Sequence, residues 1–343
     1  MSQGLAIAIR CETGVNKGFG HAIRMMTLAK ALQERHGAQI KFLCDESPTV
    51  ERLLETEGFR YGLNNAGLSE EDFVQRETGS ADILVVDNKR DYAAAFVRWL
   101  RLSRGVVFVD HCSPGAFEAN LTIFPCAAVS PSVIGDLRWA NGPCVLLHGS
   151  QFVLLGRKML ELRPCREAAR NDSAPIVLTT GGCDPQGVML KVLPWLAYVP
   201  ADREILVLVG EAFAYPRELE CLKRRLPAHV QILPYSPGRL AGAAIAICTF
   251  GVTTYELMFL GIPSLVIGHS LENAETSRIL AERCRATIDL GYIGDLREKG
   301  FIEQLSEVIQ NRERRRELSR SGLEQIDGLG AERMAERIVA LSS

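Results

Sequence analysis

Two Rossmann-like, doubly wound α/β domains facing a cleft are the architecture this sequence predicts. Three observations carry that expectation. Short apolar, β-branched runs recur through both halves of the 343 residues, amphipathic stretches separate most of them, and a polar, proline-containing segment interrupts the pattern near the middle. Strands alternating with helices make parallel βαβ units, and parallel strands buried on both faces read as continuous apolar runs.

The first series of strands comprises residues 5–10 (LAIAIR), 40–45 (IKFLCD), 82–87 (DILVVD) and 105–110 (GVVFVD). HAIRMMTLAKALQERHG follows the first and SPTVERLLETEG the second, each closing at a glycine suited to a helix C-cap. Ser47 is the expected N-cap of the latter helix, with Pro48 at its first position. A second series begins near residue 175 and reads PIVLTTGG, EILVLVG, VQILPY, IAICTFG and PSLVIG. The polar segment 157–175 is the expected junction. An N-terminal domain then spans 1–157, a C-terminal domain 170–325, and a last amphipathic helix 326–343. The carboxyl ends of such strands are where ligands bind.

Composition narrows the function. The chain is 47% hydrophobic and 23% charged, with a net charge of −2, as in an ordinary globular protein without a basic surplus for nucleic acid. The basic run Arg312–Arg320 reads as a solvated helix face. The opening residues lack a basic, signal-like region, and no apolar run approaches the roughly 18 residues of a membrane span. Ten scattered cysteines without a CxxC pair point to reduced thiols and a cytoplasmic location. The six histidines are equally dispersed, so neither a metal nor a cofactor is expected. The expected partner is a small molecule.

Three stretches carry residues with chemistry. In NKGFGHAIRMM a glycine turn ends in His21 at the mouth of a helix; an imidazole there either caps and packs or acts as a base. In TTGGCDPQG, Gly181 and Gly182 allow close backbone approach, and Asp184-Pro185 can open a helix; the turn either binds an anion or is simply tight. In TFGVTTYELM, Gly251 turns the chain, and Thr253 and Thr254 open a helix suited to phosphate. Glu256 lies one turn inside, where its carboxylate suits a ribose diol or faces solvent.

GFGHAIRMMTLAKAL, LHGSQFVLL, VLTTGGCDP and GVTTYELMFLGIPSLVI followed by Glu272-Asn273 resemble, in that order, the UDP-sugar hydrolases of pseudaminic acid biosynthesis and the related spore-coat polysaccharide proteins. The resemblance runs from about residue 5 to 295. It implies the GT-B fold, similar to the peptidoglycan N-acetylglucosaminyltransferase, with UDP in the second domain and a catalytic histidine in the first. It also implies metal-free release of UDP with inversion at the anomeric carbon. Matched residue by residue, Gly18, Gly20 and His21 form the catalytic turn, and Arg10, Glu12, Asp87 and Asp110 lie on the sugar side. Gly181, Gly182, Asp184, Phe250, Gly251, Thr253, Thr254, Glu256 and Asn273 lie on the nucleotide side.

Five places depart from that family's pattern. Glu12 replaces an aspartate, Asn88-Lys89 replaces His-Tyr, and His111 replaces the second of two aspartates. Phe250 replaces a glycine and Ala274 a glutamine. These changes bear on which sugar is bound. The expected activity is therefore a UDP-sugar hydrolase in surface-sugar biosynthesis. A GT-B glycosyltransferase with the same donor is the alternative, and a binding or assembly protein without turnover is the third reading.

Overall fold

The computed structural model describes residues 4–13, 20–64, 67–163 and 174–342. The chain divides into two compact units, residues 1–156 with 328–343, and residues 157–327.

The first unit holds a seven-stranded, wholly parallel sheet in the order β3-β2-β1-β4-β5-β6-β7. Its strands are β1 Ala6–Cys11, β2 Gln39–Cys44, β3 Arg60–Leu63, β4 Ile83–Asp87, β5 Gly105–Val109, β6 Leu121–Phe124 and β7 Val145–His148. Side chains alternate between two cores. Ile7, Ile9, Val85 and Val107 face one core, where Met25, Leu28 and Leu32 of the helix Gly20–His36 (α1) pack. Ala8, Leu84, Val86 and Phe108 face the other, with Phe73, Tyr92 and Val97. Fully burying each such side chain contributes roughly 1.5–3 kcal/mol, which is why these runs contain so few polar residues.

The second unit repeats the plan with six parallel strands in the order β10-β9-β8-β11-β12-β13. These are β8 Ile176–Thr179, β9 Ile205–Val209, β10 Val230–Pro234, β11 Ile245–Thr249, β12 Ser264–Gly268 and β13 Thr287–Tyr292. The last helix, Gly330–Val339, returns to the first unit and packs Met334, Ala335 and Ile338 with α1. No helix among the described residues is long and apolar enough to cross a membrane.

Every expected strand is present, and four more appear: β3, β6, β7 and β13. Three of the four are sheet edges, buried on fewer sides and so more polar in sequence. Two local expectations are corrected. Ser47 occupies the N-cap position, but its side chain makes no capping bond; Glu51 instead accepts from the Ser47 N–H at 2.9 Å. In the basic run, Arg315 is buried and donates to the carbonyls of Val308 and Ile309, closing the preceding helix.

Gly330 touches the body of the first unit so closely that a Cβ there would lie 2.0 Å from the Val153 carbonyl oxygen. Gly330→Ala must therefore push the last helix outward. A loss of roughly 1–3 kcal/mol is expected in urea unfolding; wild-type stability would contradict this packing.

Candidate functional site

In each sheet the candidate residues collect where the strand order reverses. β1 lies between β2 and β4, and β8 between β9 and β11, so the loops after β1 and β4, and after β8 and β11, diverge to opposite faces. Such a divergence leaves a crevice at the carboxyl ends of the strands.

His21 is the second residue of α1, and Asp87 ends β4. His21 Nδ1 lies 2.8 Å from Asp87 Oδ1, with the imidazole 20% exposed and the carboxylate 1%. Two lone pairs at that distance would repel, so Nδ1 carries the proton and donates it to Asp87. Nε2 is left as the acceptor. Arg24, one turn further along α1, donates from Nε to Asp87 Oδ2 at 2.6 Å and from Nη2 to Oδ1. Burial alone would push the Asp87 carboxyl upward, but Arg24 and then His21 hold it well below the usual carboxylate range. Asp110 follows β5 with a left-handed backbone, φ 54°. Its Oδ2 lies 3.5 Å from Arg24 Nη2 and 3.3 Å from Lys89 Nζ. Gly20 opens α1. Gly18 lies outside the described residues.

Arg10 is not beside this pair in function. It is fully buried and spends its guanidinium on Glu70, on Asp45 and on the carbonyls of Cys11 and Leu43. Glu12 is buried as well, and its N–H donates to the Asp87 carbonyl at 3.0 Å. His111 donates from Nδ1 to the Asn88 carbonyl at 2.7 Å and stacks on Phe108; burial lowers its basicity.

In the second unit, Gly181 (φ 79°) and Asp184 (φ 48°) hold the turn after β8 in left-handed conformations. Gly182 lies between them in sequence. The Asp184 carboxylate accepts from the N–H groups of Val188 at 2.9 Å and Met189 at 2.8 Å. It therefore anchors the helix Val188–Val192, where the sequence placed it on the nucleotide side. After β11, Phe250 bonds through its N–H to Ile267, and its ring meets Tyr255 edge-on. Gly251 precedes the helix Val252–Leu260. The two threonines divide their tasks. Thr254 is fully buried and its hydroxyl accepts from the Gly251 N–H at 3.3 Å, which commits it to the helix start. Thr253 is half-buried and bonds Glu256.

Glu256 also accepts from the Tyr235 hydroxyl, at 3.4 Å. Burial pushes its carboxyl up to about 7, against the opposing pull of those two hydroxyls. Asn273 accepts from the Ser270 hydroxyl at 2.7 Å while its own N–H donates to that hydroxyl, a cap at the start of the helix Leu271–Cys284. Sequence reasoning passed over Arg24 and Tyr235. Arg24 carried a signal, since three residues past His21 places it on the same helix face. Tyr235 carried none, because only the sheet order β10-β9-β8-β11 brings that loop to Glu256.

No family model matches the chain. It is similar to the spore coat polysaccharide biosynthesis protein SpsG of Bacillus subtilis, 27% identical over 341 residues, covering 94% of this chain and 95% of that protein. Among solved structures, Acinetobacter baumannii MurG superposes with a TM-score of 0.67 at 14% identity, over 98% of this chain and 100% of its own. The spinosyn rhamnosyltransferase SpnG, complexed with thymidine diphosphate, gives 0.64 at 17% identity, over 99% and 100%. The fold is GT-B.

The Glu256 carboxyl links the site to stability. Its folded value, about 7, lies above the ordinary carboxyl value of 4.5, so between those limits the folded state binds more protons than the unfolded state. The contribution of this carboxyl is then fully present below about pH 4.5 and is lost as pH rises towards and past 7. Glu256→Gln removes that loss. The variant should gain roughly 1–3 kcal/mol on wild type between pH 5 and pH 8. Parallel urea titrations across that range check it; a difference independent of pH would refute the assignment.

Proposed function

We propose that this chain is a nucleotide-sugar-dependent GT-B enzyme of surface-polysaccharide biosynthesis that transfers a sugar from a UDP donor to an acceptor hydroxyl. The His21–Asp87 pair is the observation that carries the reading. A histidine whose Nδ1 proton is held by a buried carboxylate presents Nε2 as a general base. That base takes the proton of the attacking hydroxyl as its oxygen bonds to the anomeric carbon. The bond to UDP breaks with its electron pair leaving on the diphosphate.

The second unit holds the nucleotide in this reading. The N–H groups at the start of Val252–Leu260 suit the diphosphate, and Glu256, which accepts from the Thr253 hydroxyl, suits the ribose diol. Asp110 and Lys89 are the groups offered to the sugar or acceptor.

The resemblance to the UDP-sugar hydrolases favours water as the nucleophile. Transfer to an acceptor is better supported: SpsG is named for polysaccharide biosynthesis and SpnG for rhamnosyl transfer. The donor is assigned to UDP on the sequence blocks alone.

Incubating the full chain with a panel of UDP-sugars, with and without sugar and lipid-linked acceptors, separates the readings by free UDP. Release that requires acceptor is expected. Release at the same rate in water alone would return the assignment to a hydrolase.

His21→Asn keeps a hydrogen-bonding group at the helix mouth but removes the base. Turnover should fall by about 10²-fold or more with UDP affinity nearly unchanged. A folded variant of wild-type activity would remove His21 from the mechanism.

A further inference from the structure

Arg24 grips Asp87 at both oxygens, and the same Nη2 that reaches Oδ1 lies 3.1 Å from His21 Nδ1. Its side chain is only 15% exposed. A bidentate guanidinium fixes a carboxylate in place as well as neutralising it. Here it also sets a positive charge against the imidazole.

Those two effects act in opposite directions on His21. A lone buried carboxylate beside a histidine stabilises the imidazolium and so weakens the urge to release the proton later. A guanidinium within hydrogen-bond distance repels that second positive charge. Among the described residues, the other groups around the trio are Asp110, its partner Lys89, and Cys11 and Glu12 on β1 and its end. Asp110 and Lys89 form a pair of opposite sign, and Cys11 lies opposite Asp87 in the β1-β4 register, its thiol kept neutral by burial and by Cys44. Among the described residues, Arg24 is thus the cation in direct contact with both members of the pair.

We propose that Arg24 is a positioning residue for the base. It holds Asp87 ionised and aimed at Nδ1, and it offsets the carboxylate so that Nε2 is unprotonated when the acceptor arrives. The inference rests on reading His21 as the base. During turnover the acceptor proton moves to Nε2, and Asp87 keeps its negative charge between two cations.

The test is a pH titration of the His21 imidazole by NMR in the intact, ¹⁵N-histidine-labelled protein, with His21→Asn identifying the resonances. In wild type the proton should sit on Nδ1. Arg24→Met should raise the titration midpoint by about one unit and lower kcat by roughly 10- to 100-fold, with KM within about twofold. Arg24→Lys keeps the charge but not the two-point grip, so its midpoint should stay near wild type while kcat still falls. If Arg24→Met does not fold, Arg24→Gln is to show the same rise. An unmoved midpoint in a folded, uncharged variant overturns the proposal even where His21→Asn is inactive. Full activity in His21→Asn overturns the base assignment beneath it.

Discussion

A single buried carboxylate organises the candidate site of the first unit. Asp87 ends a strand with both faces covered, where an uncompensated charge costs several kcal/mol. Arg24 and the His21 N–H offset that cost, and both come from α1. The helix is held in turn by Met25, Leu28 and Leu32, which pack on the sheet and on the last helix. The distance between His21 and Asp87 is therefore set by the core on which α1 packs. Losing Arg24 or His21 would leave a charge in the protein interior with too few partners.

Beneath that pair lies a second charged layer with no free valence for a ligand on Arg10. Arg10 and Arg90 face Glu70 and Asp45, two cations against two anions. The Glu70 carboxylate also accepts from Tyr92 at 2.5 Å and from Asn88 at 3.0 Å. Burial alone would raise the Glu70 carboxyl, but Arg10 outweighs it and holds the group below its usual value. Asn88 ties this layer to His111 through its carbonyl. The loops after β1, β2, β4 and β5 are thus joined by one hydrogen-bonded network, which gives the ends of four strands a common support. The Asn88 and His111 departures from the resembling family are members of this network.

The second unit has a different arrangement, a helix start after β11 beside Glu256. That helix start is closed by Thr254, whose hydroxyl accepts from the Gly251 N–H, while the Thr253 hydroxyl donates to Glu256. Glu256 is a carboxylate placed where burial disfavours its charge.

What the sequence determined by itself was the architecture. Apolar runs such as DILVVD and IAICTFG state that a strand is covered on both faces, and their alternation with helices leaves little choice but parallel, doubly wound sheets. The placement of His21, Thr253 and Glu256 in the first turns of helices was legible too, since a turn followed at once by a helix start is a local signal. The edge strands β3, β7 and β13 were not, because a half-buried strand has no distinctive composition. Nor were the roles of Arg10, Asp184 and Thr254, which the tertiary structure turned inward. Whether a polar side chain meets a ligand or its own backbone depends on what the rest of the chain brings beside it. Asp87 meeting His21 across 66 residues is such a case: the β1-β4 pairing made the contact, and no local pattern encodes it.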